Sequence, residues 1–96
     1  MNTQRRTLIE HQTTLEPSRV LDAAREFFSR RNSLYAAFIE QEGPTHVTMR
    51  GQGGEELVIA ATAAPGGLTM VTGSSYLFDA QISRFFATLP PAQAPA

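Results

Sequence analysis

Residues 34–73 read LYAAFIEQEGPTHVTMRGQGGEELVIAATAAPGGLTMVTG, and this stretch decides the fold. Short apolar runs alternate here with clusters of glycine and proline at 43–44, 51–54 and 65–67. Runs separated by such short, turn-rich gaps are typical of strands joined as consecutive hairpins. The stretch therefore predicts an antiparallel meander of four strands, at residues 34–42, 45–50, 55–63 and 68–73.

The alternation of side chains within these strands predicts two unlike sheet faces. If each turn closes a simple hairpin, the pairing fixes which residues share a face. One face then collects the larger apolar residues and is expected to pack against helices: Ala36, Phe38, Val47, Met49, Leu57, Ile59, Ala61, Leu68 and Met70. The opposite face is mixed and more apolar than a plain solvent face: Tyr35, Ala37, Ile39, His46, Thr48, Arg50, Val58, Ala60, Thr62, Thr69 and Val71.

The segments on either side of the meander predict one further strand and two helices. Residues 3–15 are rich in threonine and lack glycine and proline, which favours an edge strand. Pro17 suits the first position of a helix, and this helix carries an apolar stripe of Val20, Ala23, Ala24, Phe27 and Phe28. A second helix is predicted from a serine cap at 74–75 to Leu89, with the stripe Phe78, Ile82, Phe85, Phe86 and Leu89.

The resulting order of elements is strand, helix, four strands, helix. It predicts an α+β domain in which two helices cover one face of a five-stranded antiparallel sheet. The domain spans residues 1–89, and the Pro/Ala-rich segment 90–96 is predicted to be a flexible tail.

The composition argues against several functional classes. The chain has 8 Lys+Arg against 9 Asp+Glu, so a broad basic surface for nucleic acid or anionic lipid is not expected. Every basic residue is arginine, which we interpret as genomic composition bias. With 0 cysteines, disulfides, thiol catalysis and thiolate metal sites are excluded. No signal-peptide pattern and no long apolar run is present, so a cytoplasmic protein is expected.

The segment Leu15-Glu16-Pro17-Ser18-Arg19-Val20, together with the order of elements, resembles the helix-grip superfamily, which includes START-like, polyketide-cyclase and pollen-allergen proteins. The resemblance implies the strand order 1-5-4-3-2 and a pocket for an apolar ligand between the sheet and the C-terminal helix. The side chains expected to line it are Phe38, Met49, Ile59, Met70, Phe78, Ile82 and Phe85. This chain departs from the family because it has four strands after the first helix instead of six, and one helix instead of two.

The polar residues do not form a recognisable catalytic pattern. The glycine-rich segment 51–54 is followed by Glu55, Glu56 and a strand, whereas a phosphate loop needs Lys-Ser/Thr and a helix. Neither histidine, His11 or His46, has a second ligand at helical spacing. The carboxylates of Glu40, Glu42, Glu55 and Glu56 lie at strand ends and turns, and a Gly-x-Ser-x-Gly elbow is absent. We therefore expect neither an enzyme nor a bound metal or cofactor.

The apolar residues of the mixed face carry the main functional hypothesis. A monomer with two layers would expose them, which suggests a partner surface made of Tyr35, Ala37, Ile39, Val58, Ala60 and Val71. A symmetric homodimer packed sheet to sheet would bury this surface. The sequence thus predicts a non-catalytic accessory or scaffold domain that self-associates or binds another protein. The alternative is a carrier of a small apolar ligand held in the pocket named above.

Overall fold

The structure is a computed structural model, and it describes residues 7–31, 37–51, 56–75 and 79–91 of the 96-residue chain. Five strands form one antiparallel sheet in the order β1-β5-β4-β3-β2. They are β1 (Thr7–Thr13), β2 (Ala37–Glu42), β3 (His46–Gly51), β4 (Glu56–Ala64) and β5 (Leu68–Ser75). The helices are α1 (Pro17–Glu26) and α2 (Asp79–Thr88). The predicted α+β class and strand order are confirmed.

Helix α1 begins where the sequence predicts, with Pro17 in its first turn. Proline costs nothing there because the first backbone N–H groups of a helix have no partner within it. Arg25 lies in the last turn, where a cation suits the negative end of the helix dipole. The chain then widens into a π-helical turn at Phe27–Arg31, and the Ser29 hydroxyl donates a hydrogen bond to the backbone carbonyl of Arg25.

The predicted start of the second helix at the serine pair is wrong. Ser74 and Ser75 are the last residues of β5, and the side chain of Ser75 is fully buried. The described part of α2 begins at Asp79, whose carboxylate lies in its first turn. The serines are therefore strand residues and not the first residues of the helix, and residues 76–78 between them and Asp79 lie outside the described residues.

One hydrophobic core joins both helices to alternate residues of the sheet. Val20, Leu21, Ala24 and Phe28 from the first helical segment and Ile82, Phe85, Phe86 and Leu89 from the second are buried in it. The sheet contributes Val47, Met49, Leu57, Ile59, Ala61 and Val71, all at 0 % exposure. We call the face that carries these six residues the helix-facing face, and the opposite one the outer face.

Helix α2 packs directly on the backbone of β5 at Gly73. A Cβ atom at this glycine would lie 2.6 Å from Cγ2 of Ile82. That separation is shorter than a normal carbon–carbon contact, so Ile82 occupies the space that any larger residue would need. The contact fixes how closely the helix approaches the sheet.

The loop between β4 and β5 shifts the pairing by one residue from the predicted register. This loop is a turn of 3 residues, Pro65–Gly67, in which both glycines adopt positive φ angles, 78° at Gly66 and 75° at Gly67. Ala61 consequently pairs with Val71, whereas the sequence predicted that Ala61 shares a face with Met70 and lies on the opposite face from Val71. Because side chains alternate along a strand, the shift exchanges the faces: Val71 and Thr69 lie on the helix-facing face, and Leu68 and Met70 lie on the outer face.

A second difference in register affects β2. The strand pairs Ile39 with Met49 and Phe38 with Arg50, so the prediction that Phe38 shares the register of Met49 is wrong. A β-bulge follows between Ile39 and Gln41, which adds a residue to one strand and bends it. Ile39 therefore shares the register of the helix-facing face, and it lines an open groove together with Asp22, Arg25, Glu26 and Ser29 of the first helical segment.

Candidate protein-interaction surface

Strand pairing arranges the outer face in rows across the sheet. One row contains Gln12, Met70 and Thr62, and the next contains Glu10, Thr72, Ala60 and His46. A third contains Leu8, Ser74, Val58, Thr48 and Gln41. The face thus carries small and hydroxyl-bearing side chains at its centre, and its longer polar side chains lie mainly on the outer strands.

The β4–β5 hairpin forms the apolar part of the outer face. We call Val58, Ala60, Ala64, Leu68 and Met70 the β4–β5 patch; all five are half-buried within the single chain. Beside it on β1, Leu8 is 64 % exposed. Among the described residues, two large apolar side chains are exposed, and Leu8 is the more exposed of them. None of these six belongs to the core, whose sheet members among the described residues come from the other face. The patch is therefore apolar surface that the helices leave uncovered.

Charged side chains lie at the margins of the outer face. Arg50 donates two hydrogen bonds to the carboxylate of Glu40, from Nε at 3.0 Å and from Nη2 at 2.9 Å. Glu56 approaches the same guanidinium at 3.9 Å. Hydrogen bonding from Arg50 lowers the pKa of Glu40, and the same bond raises the pKa of Arg50. On the far side of the sheet, Glu10 is exposed on β1.

The structure corrects the predicted partner surface. Val58 and Ala60 lie on the outer face as predicted, but Val71 is fully buried beneath the helices and Ile39 shares the helix-facing register. Ala37 pairs with Gly51, in register with the helix-facing residues, and Tyr35 lies outside the described residues. The prediction missed Ala64, Leu68 and Met70. The signal that identifies them is Pro65-Gly66-Gly67, because a loop of odd length with positive-φ glycines changes the alternation in β5.

The residues predicted to line a ligand pocket are divided between the two faces. Met49, Ile59, Ile82 and Phe85 meet in the core, each at 0 % exposure. Met70 lies on the outer face, Phe38 pairs with the outer-face residue Arg50, and Phe78 lies outside the described residues. The dense packing of an ordinary hydrophobic core is sufficient to explain why the four buried residues lie together.

The free edge of β1 carries a contact from the C-terminal segment. The Thr13 hydroxyl donates to the carbonyl of Pro90 at 2.6 Å and accepts from the backbone N–H of Leu15 at 3.2 Å. Pro91 forms an antiparallel bridge with Thr13. The predicted tail therefore includes two residues that pack against the sheet, and Thr13, at 0 % exposure, holds them there.

We expect Thr13→Val to destabilise the domain by about 1–3 kcal/mol, because the shape is kept while two partly buried hydrogen bonds, each worth about 0.5–1.5 kcal/mol, are lost. Thr13→Ser retains the hydroxyl and is the matched control. Urea unfolding of the three proteins measures the difference. A Val variant with the midpoint of the unmodified chain would mean that the hydrogen bonds do not contribute to stability at this position.

Neither histidine belongs to a metal-binding cluster of the described residues. The ring of His11 stacks on Phe86, with centroids 5.1 Å apart, and its Nε2 atom is buried without a partner among the described residues. His46 lies against the backbone of Gly43 on the outer face. Within the described chain, no group of three or more His, Asp or Glu side chains is arranged to hold a metal ion.

Comparison with known proteins does not place the chain in a family. No protein-family model and no curated protein matches it. Among the described residues, no helix is long and apolar enough to cross a membrane. The argument for function therefore rests on the surfaces of the molecule itself.

Proposed function

We propose that the chain is a non-catalytic interaction domain that docks on another protein through its outer sheet face. The observation that carries this proposal is the β4–β5 patch, with the exposed Leu8 beside it. Apolar side chains that lie together on a surface rimmed by charges are typical of protein interfaces. Among the described residues, the core side chains that both helices contribute pack on the other face of the sheet. The proposed partner protein covers the outer face.

The chemistry of the outer face restricts what that partner presents. Its central side chains are small, and they are either apolar or hydroxyl-bearing, as at Ala60, Thr62 and Thr72. A flat, uncharged protein surface with apolar and hydroxyl groups fits them, whereas an unpaired charge buried there would be costly. Glu10 lies at one margin of the outer face, and Arg50 with its carboxylate partners lies at the other. The uncharged surface offered to a partner therefore lies between these charged groups.

A photo-crosslinking experiment in native cells tests the proposal without assuming which protein binds. We place p-benzoyl-phenylalanine at Thr62, an exposed residue on the outer face, or at Ser83, an exposed residue of α2 as the control. We expect a defined protein adduct from position 62 and little from position 83. Equal labelling from both positions, or no adduct from Thr62, would rule out the outer face as the docking surface.

A further inference from the structure

We infer that the partner on the outer face is a second copy of this chain, packed sheet to sheet about a two-fold axis that runs along β4. The inference rests on the proposed function and specifies its partner. Two features of the face carry it: the four small, uncharged residues that follow Glu56 on the central strand, and the complementary polar groups on the flanking strands.

Strand β4 is the middle strand of the sheet, with two strands on each side. A residue on a two-fold axis meets its own copy, so a charge there would face an identical charge. The outer-face residues of β4 are Glu56 at the start of the strand, followed by Val58, Ala60, Thr62 and Ala64. The Glu56 carboxylate lies 3.9 Å from the Arg50 guanidinium of the same chain, so the one charge on the proposed axis has an opposite charge beside it. The four residues that follow it are small and uncharged. This strand can therefore pack against itself.

The flanking strands present groups that complement one another across the same axis. An axis along β4 places β5 of one copy over β3 of the other, and β1 over β2. Ser74 then faces Thr48, and two hydroxyls serve each other as donor and acceptor. Thr72 faces His46, which brings the neighbouring Glu10 carboxylate within reach of an imidazole N–H.

The imidazole of His46 is held in place for such a contact. A Cβ atom at Gly43 would lie 2.6 Å from Cε1 of His46, so the ring packs against the backbone where only glycine leaves room. The ring is therefore positioned at the margin of the outer face before any partner arrives. Because the His46 imidazole is already positioned near the Glu10 carboxylate of the second copy, its N–H favours this orientation of the second copy over the one turned end to end.

The area of the face suits a dimer of modest affinity. Five strands at about 4.8 Å spacing span roughly 24 Å, and seven residues along a strand span roughly 23 Å. A sheet-to-sheet contact then covers roughly 550 Å² on each copy, or about 1,100 Å² in total. This clears the roughly 1,000 Å² expected of a specific interface and lies at its weak end.

Opposite charges at one axial position test the axis itself. We expect Val58→Glu and Val58→Arg each to weaken association at least tenfold, because like charges meet across the axis. An equimolar mixture of the two variants is expected to associate again, because the introduced carboxylate of one copy then meets the introduced guanidinium of the other. Sedimentation equilibrium of each variant and of the mixture measures the effect, and Ser83→Glu with Ser83→Arg on α2 is the matched control.

A second pair of variants guards against misfolding. Thr62→Glu and Thr62→Arg change an exposed residue of the same strand, so we expect both variants to stay folded. They repeat the charge test at a second position on the proposed axis. Single variants that stay dimeric, or a mixture that stays monomeric, would overturn the two-fold axis along β4. Neither result would contradict the proposal that the outer face binds a protein. The photo-crosslinked adduct from Thr62 in cells tests that proposal separately, because it forms with any protein partner, whether or not that partner is a second copy.

Discussion

Val71→Glu is expected to unfold the domain, whereas Met70→Glu, one residue earlier, is expected to leave it folded. Val71 is at 0 % exposure among the residues beneath the helices. A carboxylate there has no partner to compensate its lost hydration, which costs several kcal/mol. A domain of this size has about 5–15 kcal/mol of total stability. Met70 lies half-buried on the outer face, where a carboxylate reaches water.

Circular dichroism and urea unfolding of the two variants decide this prediction. At low micromolar concentration, where the proposed dimer is dissociated, we expect the Met70 variant to show a cooperative transition near that of the unmodified chain, and the Val71 variant to show none. The reverse order would restore the register predicted from the sequence, with Met70 under the helices. That result would remove the β4–β5 patch as well.

Phe85→Ala is expected to cost about 3–5 kcal/mol, the range for deleting a buried aromatic side chain. Phe85 is at 0 % exposure and its ring lies at the centre of an aromatic group. Its ring centroid lies 5.5 Å from that of Phe28, 5.6 Å from that of Phe27 and 6.0 Å from that of Phe86. The substitution therefore opens a cavity where the two helical segments meet.

Phe27→Ala is the comparison for this prediction, because Phe27 belongs to the same aromatic group but is only half-buried. We expect a smaller loss of stability from it in the same denaturant titration. If the two substitutions cost the same, a ligand space lined by Phe85 would explain the result better than a filled core. Such a result would revive the apolar-ligand alternative, which stays a prediction.

The sequence pattern was sufficient to predict the class of fold and the meander from β2 to β5, whereas the place of β1 beside β5 was implied only by the family resemblance. Hydrophobic spacing located α1, Pro17 marked its start, and glycine-proline clusters separated the strands of the meander. These features are local, and each acts within a few residues of chain. The pairing of β3 with β4 was also predicted correctly, with Val47 opposite Ile59.

The faces of β5 and β2 could not be assigned by assuming simple hairpins. A register shift of one residue moves a whole strand to the other face. In β5 the shift comes from the loop of 3 residues at Pro65–Gly67, and in β2 it accompanies the bulge after Ile39. The loop carries a signal in its glycines, but the bulge depends on contacts with β3 and has no local signature that we recognise.

The same two shifts explain why the candidate surface was only partly predicted. Val58 and Ala60 were placed correctly because β4 pairs as expected with β3. Val71, Ile39 and Met70 were placed on the wrong faces because they lie on the shifted strands. The sequence therefore placed two of the five members of the β4–β5 patch on the outer face, while Ala64, Leu68 and Met70 became known only from the strand register.

Sedimentation equilibrium of the unmodified chain tests the central claim most directly, because the outer face either finds a second copy in solution or does not. For a chain of 10.5 kDa, we expect the mass to rise toward about 21 kDa as the protein concentration reaches the high micromolar range. A mass that stays at 10.5 kDa throughout this range would contradict the dimer.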